Sequence, residues 1–352
     1  MNNWIHSAIQ KIEADFQRSA DTHLIKVPLA RFPGIDLYLK DESTHPTGSL
    51  KHRLARSLFL YGLCNGKIHE NTTIVEASSG STAVSEAYFA KLLGLPFIAV
   101  VPKGTSEDKI NQITFYQGQC HFVEPQSLYA EAARLAKENN GYYMDQFSFA
   151  ERATDWRGNN NIADSIFKQM QLEPHPIPTW VVVSAGTGGT SATIGRFIRY
   201  KGLASKLCVA DPSHSVFYDY YQSGDAGLTM STPTNIEGIG RPRVEPSFLR
   251  EVVDHMIKVD DGAAIGTMHW LNDTLNREVG GSTGTNLYAA IQLIQQMHKA
   301  NQQGSVVSMI CDAGSRYSNT YYNTQWLESR GLAQASEAHY QQLKSLMDPN
   351  HA

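Results

Sequence analysis

The feature that most constrains this chain is an alternation, starting near residue 72, of short β-branched apolar runs with longer segments of helical period. Residues 72–77 read as a buried strand. Residues 82–93 read as a helix with Val84, Ala87, Tyr88 and Leu92 on one face, ended by Gly94 and Pro96. Strands are expected at 97–101, 120–123 and 142–146, with Ser106 and Ser127 capping the helices between them. After a polar stretch at 156–161, a second series places strands at 179–183, 206–210, 257–259 and 306–311. Its helices fall at 190–200, 262–275 and 286–299, with a terminal helix after Tyr317. Residues 36–39 add an early strand, residues 280–284 read as a loop, and residues 218–246, rich in Gly, Pro, Ser and Thr, read as loops over a site. Strands that alternate with helices need crossover connections, so an α/β fold is expected, with mostly parallel sheets and two units joined near 147–155.

A chain of 352 residues, 41% of them hydrophobic, is long enough for two domains with separate cores. The formal net charge is −4 and no basic run stands out, which argues against a nucleic-acid partner. The apolar runs at 96–101 and 180–183 fall far short of the ~20 residues a membrane span needs, so no membrane is expected. The first residues, Met-Asn-Asn-Trp-Ile-His-Ser, lack the basic start and apolar core of a secretory signal. Cys64, Cys120, Cys208 and Cys311 lie far apart with no CxxC pair, and the histidines form no HExxH. No metal site is therefore expected, and a reducing cytoplasm is the expected location.

Four segments carry chemistry. In Lys40-Asp-Glu-Ser-Thr-His-Pro-Thr-Gly-Ser-Leu-Lys51-His-Arg53, Pro46 and Gly48 force a turn, and Leu50, Leu54 and Leu58 then share a helical face. Lys51 thus enters the first turn of a helix, where the backbone field disfavours an ammonium and favours a nucleophilic amine. Alone, it would read as a surface lysine. Glu76-Ala-Ser78-Ser79-Gly80-Ser81-Thr82 joins a strand to a helix and offers N–H groups and hydroxyls to an anion such as a carboxylate. Gly186-Thr187-Gly188-Gly189-Thr190 lets the backbone approach a phosphate after a strand. It lacks the Gly-Lys-Ser/Thr ending of a Walker A loop. A dinucleotide site is the rival reading, because Asp211 stands near the expected acidic spacing. Gly280-Gly281-Ser282-Thr283-Gly284 precedes an apolar helix.

Thr47-Gly48-Ser49-Leu50-Lys51-His52-Arg53 is similar to the lysine motif of the fold-type II pyridoxal-phosphate enzymes, which include cysteine synthase (O-acetylserine sulfhydrylase), cystathionine β-synthase and threonine synthase. The other loops follow in that family's order. The resemblance implies two domains, each with a twisted, mostly parallel sheet flanked by helices, and an active site in the cleft between them. It makes residues 1–42 and 151–352 the large cofactor-binding domain and 43–150 a small, mobile substrate-carboxylate domain. Lys51 would hold pyridoxal 5′-phosphate as a Schiff base and take the Cα proton. Gly186, Thr187, Gly188, Gly189 and Thr190 would hold the phosphate, and Ser282, or its neighbour Thr283, the ring nitrogen. A hydroxyl there leaves that nitrogen largely neutral, which suits β-elimination over transamination.

The resemblance also assigns Ser78, Ser79, Gly80 and Thr82 to the substrate carboxylate, joined by Gln146 of Asp-Gln-Phe-Ser. Ser81 stands where the family has an asparagine bonded to the cofactor's 3′-oxygen. Gly238, in Ile236-Glu237-Gly238-Ile239-Gly240, matches the loop that lines the cofactor. Asp312-Ala-Gly-Ser-Arg316-Tyr317 resembles a family segment ending in Arg-Tyr. Arg241 and Arg243 have no obvious counterpart in cysteine synthase.

The wider wording around Lys51 and Ser79 looks most like the bacterial L-cysteine desulfhydrases of this fold, implying cleavage of L-cysteine to hydrogen sulfide, pyruvate and ammonia by a homodimeric lyase. Cysteine synthase activity is the alternative. A non-catalytic cofactor- or amino-acid-binding module is a weaker alternative, and a dinucleotide-dependent oxidoreductase the weakest.

Overall fold

The computed structural model describes residues 3–18, 21–158 and 161–348. Two positions of the polar stretch at 156–161, residues 159 and 160, lie outside the described residues. In chain order come α1 (Asn3–Gln17), β1 (Leu24–Val27), β2 (Ile35–Asp41), α2 (Lys51–Cys64), β3 (Ile74–Ala77) and α3 (Ser81–Leu93). Next are β4 (Phe97–Pro102), α4 (Glu107–Phe115), β5 (Gln119–Val123), α5 (Leu128–Glu138), β6 (Tyr142–Tyr143) and α6 (Gln146–Ala153). They are followed by α7 (Ile162–Met170), β7 (Trp180–Ser184), α8 (Gly189–Lys201), β8 (Lys206–Pro212), α9 (Phe217–Ser223) and β9 (His255–Val259). The last are α10 (Asp261–Leu275), α11 (Gly281–Lys299), β10 (Gly304–Ile310), α12 (Thr324–Ser329) and α13 (Ala333–Met347). The chain divides into two compact units, one of residues up to Asp21 with His45–Asp155, the other of Thr22–Thr44 with Trp156 onward.

The first unit is built on a parallel sheet in the order β5-β4-β3-β6. Side chains alternate across a strand, and here both faces are covered. Ile74, Phe97 and Ala99 face Leu58, Phe59, Ala83 and Ala87 of α2 and α3. Val75 and Val100 face Ala132 and Leu135 of α5. That double burial explains why β4 reads as a continuous apolar run and β3 as one broken only by Glu76.

Of residues 1–42, expected in the larger unit, the segment from Thr22 packs there, whereas α1 packs in the smaller one. Ala8 and Ile12 join the core around Leu54, Leu58 and Leu63. Glu13 pairs with Arg56 at 2.8 Å, and Tyr88 Oη donates to Asp15 at 2.9 Å. The strand expected at 142–146 is also shorter. Asp145 adopts a left-handed conformation (φ 46°) and its carboxylate accepts from Ser148 N, so the chain turns and α6 begins at Gln146.

The second unit carries a sheet in the order β1-β2-β10-β7-β8-β9, in which β1 alone runs antiparallel to its neighbour. Val182, Ala210, Val306 and Ile310 pack with Met268, Leu287 and Ile291 of α10 and α11. Two local expectations change here. Residues 218–246 open with α9, which ends at Gly224 (φ 75°). Residues 280–284 are the first turn of α11 rather than a loop. The reason is packing. A side chain on Gly284 would strike the Ala264 carbonyl of α10, so the glycine lets two helices meet closely.

Candidate active site

Lys51 is the first residue of α2 and is half-buried. The turn before it is fixed. Gly48 takes φ 69° and its N–H donates to His45 O at 2.7 Å. Thr47 Oγ1 lies 3.2 Å from His52 Nδ1 and 2.9 Å from Ser85 Oγ, which joins the turn to α3. The His52 ring, stacked on His45, packs against Phe89. Lys51 is therefore held between a hydrogen-bonded turn and a buried neighbour.

The Ser78–Thr82 loop lies in the same unit. Gly80 is the N-cap of α3 and no side chain caps the helix, so its first N–H groups stay available to an anion. Ser78 Oγ accepts from Gly80 N at 3.3 Å, and Ser81 opens the helix. Thr82 donates its hydroxyl to Gln146 Oε1 at 2.7 Å, which leaves the Gln146 amide NH2 as its outward polar end. Thr82 thereby acts through Gln146.

Glu76 was not singled out in the sequence, yet it ties these parts together. Its carboxylate accepts from Ala77 N at 2.7 Å and from Gln146 N at 3.1 Å. Glu86, on α3, faces it, and both are fully buried. Burial pushes Glu76 up to about 8, with Asp145 and Glu86 acting on it from nearby. Burial and the Glu76 charge push Glu86 well above the usual carboxylate range. Both acids ionise more readily in the unfolded chain, so their contribution to stability is full at acid pH and is lost as pH rises toward about 8 and beyond. Glu86→Leu is accordingly expected to flatten the fall in thermal midpoint between about pH 5 and about pH 9. Unfolding scans of both proteins across that range check this. The sequence signal for the pair is an acid inside an otherwise apolar strand and another on a helix's apolar face.

In the second unit, β7 runs into Gly186–Thr190 and α8. Gly188 is the N-cap with φ 91°, and Gly189 N donates to Thr187 Oγ1 at 3.3 Å. The loop is walled by the segment at 236–248. A Cβ on Gly186 would meet the Gly238 carbonyl, and Gly240 N donates to Ala185 O at 2.9 Å. The rival dinucleotide reading loses its acidic residue. Asp211 is buried, accepts from Tyr218 N at 2.9 Å and is pushed up to about 7 by burial. It serves the fold.

At α11, Thr283 Oγ1 accepts from Cys311 N at 3.1 Å, whereas Ser282, on the same buried first turn, makes no hydrogen bond among the described residues. Tyr317 Oη donates to Asp312 at 2.6 Å beside Gly280. Tyr321 Oη donates to Asn235 O and accepts from Glu237 N, which steadies the Gly238 loop. Arg277 binds Asp41 at 2.5 Å and Ser43 at 2.6 Å, anchoring the chain just before α11 to the end of β2. Arg241 and Arg243 both pair with buried Glu245, at 2.7 and 3.2 Å.

The residues fit the cofactor that the sequence implies. The Ser79, Thr190 and Ser282 hydroxyls have no partner among the described residues, and each lies at or beside a glycine-rich helix start. Neutral donors of this kind suit a carboxylate, a phosphate and a ring nitrogen. No group of three or more His, Cys, Asp or Glu among the described residues could hold a metal ion. No helix there is long and apolar enough to cross a membrane.

Comparison with known proteins points the same way. The chain is 59% identical over 341 residues to the L-cysteine desulfhydrase Cds1 of Mycobacterium tuberculosis, covering 96% of this chain and 93% of that one. It is 29% identical over 293 residues to cysteine synthase B of Campylobacter jejuni, covering 82% and 91%. The fold matches the crystal structure of an O-ureido-L-serine synthase with a TM-score of 0.74 at 22% identity, over 89% of this chain and 93% of that one. The sequence profile of the pyridoxal-phosphate dependent enzymes matches residues 17–312, and the chain belongs to that family.

Proposed function

We propose that this chain is an L-cysteine desulfhydrase: it converts L-cysteine and water to hydrogen sulfide, pyruvate and ammonia. The observation that carries this reading is the 59% identity, over nearly the whole of both chains, to a protein named for that activity. The site residues support it.

Bound pyridoxal phosphate supplies the electron sink for a Cα carbanion. Lys51 would anchor the cofactor, and its amine would take the substrate's Cα proton as a general base. Ser78, Ser79 and Gly80, with the Gln146 amide, hold the α-carboxylate, and Thr82 keeps Gln146 turned the right way. Ser81 serves the 3′-oxygen side. Gly186, Thr187, Gly188, Gly189 and Thr190 seat the phosphate, and Gly238 backs the loop. Ser282 would be the partner of the ring nitrogen: its hydroxyl has no partner among the described residues, whereas Thr283 is fully buried against Cys311 N. A neutral hydroxyl there weakens the sink and favours loss of a good leaving group from Cβ. The larger unit acts as the cofactor-binding domain and the smaller as the carboxylate-binding domain. The enzyme works as a homodimer in the cytoplasm, in keeping with four cysteines that form no disulfide among the described residues.

The test is an assay of sulfide and pyruvate from L-cysteine, D-cysteine, L-serine and O-acetylserine in parallel, with O-acetylserine plus sulfide as a further arm. Equimolar sulfide and pyruvate from L-cysteine are expected. Cysteine formation from O-acetylserine and sulfide, with no sulfide released from L-cysteine, would overturn the proposal in favour of a synthase.

A further inference from the structure

We infer that Glu76, backed by Glu86, is a positioning residue that fixes the substrate-carboxylate site by holding its two halves on one buried carboxylate. The inference rests on the reading of Ser78–Gly80 and Gln146 as the carboxylate site.

The two halves are far apart in sequence. One is the loop that leaves β3 at Ala77; the other is the start of α6 at Gln146. One oxygen of Glu76 accepts from Ala77 N and the other from Gln146 N, so a single planar group sets the distance between them. The Gln146 side chain then returns to α3 through Thr82. The result is a closed ring of contacts, from Glu76 to Gln146 to Thr82 and back along α3 and its loop to Ala77. An amino-acid carboxylate received by the loop N–H groups and the Gln146 amide would meet donors whose spacing this ring determines.

Glu86 supplies what Glu76 lacks. Neither Glu86 oxygen has a donor among the described residues, and the residue is fully buried. A carboxyl in that state keeps its proton and can donate it, and the group it faces is Glu76. The other titratable groups acting on Glu76 and Glu86 are Asp145, ahead of α6, and Tyr142 and Tyr143 of β6, which feel both glutamates. Tyr143 Oη is likewise buried without a hydrogen-bond partner. The surroundings thus offer Glu76 acids and phenols, and a shared proton is the way two such carboxyls lie together.

Glu76→Gln tests this, because it replaces one acceptor oxygen with an NH2 that faces a backbone N–H. The probe is L-alanine, which carries the α-amino and α-carboxyl groups but no leaving group. It is titrated against the holoenzyme and followed through the cofactor's visible absorbance. The expected result is a Kd for L-alanine weakened by about 10-fold and a KM for L-cysteine raised similarly. The kcat should change by less than about 3-fold, with the cofactor content unchanged. A Kd equal to that of the wild type, or a folded variant whose kcat and cofactor content fall as far as its affinity, would overturn the inference.

Should Glu76→Gln fail to fold, Glu86→Gln against Glu86→Leu decides. Glutamine keeps a donor toward Glu76 and should bind L-alanine more tightly than leucine does; equal affinities would sink the idea. The L-alanine arm is independent of the leaving group. A wild type that answers L-alanine but releases no sulfide from L-cysteine would remove the desulfhydrase assignment alone. A wild type that ignores every amino acid would remove the carboxylate site and this inference with it.

Discussion

Lys51→Ala is expected to lower sulfide and pyruvate release from L-cysteine by at least about 10³-fold while the protein stays folded. Two separate losses produce the effect. The covalent anchor for the cofactor disappears, and so does the amine that takes the Cα proton. Folding should survive because Lys51 is a half-buried first residue of α2, and alanine is the better helix former. The turn before it is held by hydrogen bonds among Thr47, His52 and Ser85. Rapid-quench measurement of sulfide, beside circular dichroism and a thermal midpoint, separates chemistry from folding. Partial recovery of turnover with added methylamine would identify the missing group as a base. A variant that keeps more than a tenth of wild-type turnover would remove Lys51 from its role.

Gly188→Ala has the second large expected effect: loss of cofactor binding together with a destabilisation of about 3 kcal/mol. The residue takes φ 91°, where an L side chain costs about 1–2 kcal/mol. Its Cβ would also lie about 2.5 Å from Phe248 Cα and the Ser247 carbonyl oxygen, both backbone atoms that cannot swing aside. Overpacking of that kind adds about 1–3 kcal/mol. Relief would come from moving the loop that opens α8, and that loop seats the phosphate in the proposed site. Gly202→Ala is the control. It lies at the other end of α8 with φ 61° and open space around its Cβ. It should lose stability through the backbone alone and retain the cofactor. Dialysis against phosphate, followed by cofactor absorbance, reads the difference. Equal cofactor retention by both variants would show that the Gly188 loop does not seat the phosphate.

Much of the fold was legible because parallel α/β structure leaves local marks. β7 and β10 are apolar runs bounded by small residues, and each strand is as long as its run implies. The misreadings share one cause. The glycines of 280–284 read as turn residues in the sequence because a glycine that bends the chain and a glycine that admits a neighbouring helix look alike in one dimension. The short β6 was overextended because an apolar run ends wherever the chain turns, and Asp145 turns it by its backbone conformation.

The sequence by itself determined the pieces of the proposed site that are made by contiguous residues. These are Lys51 at a helix start, the Ser/Thr loop after β3, the glycine loop after β7 and the hydroxyls opening α11. Each depends on glycines, caps and helix ends acting within a few residues, and such short-range rules are written in the chain. Tertiary structure alone decided that α1 belongs with the smaller core, that Thr283 is taken by Cys311 while Ser282 is left open, and that Glu76 and Glu86 meet beneath the carboxylate loop. Those facts rest on contacts between residues far apart in the chain, some by 70 or more positions, and on the cost of burying charge, which no local pattern encodes. The loop after β3 could be read in the chain; its fixed spacing from Gln146 required the packed core of the smaller unit.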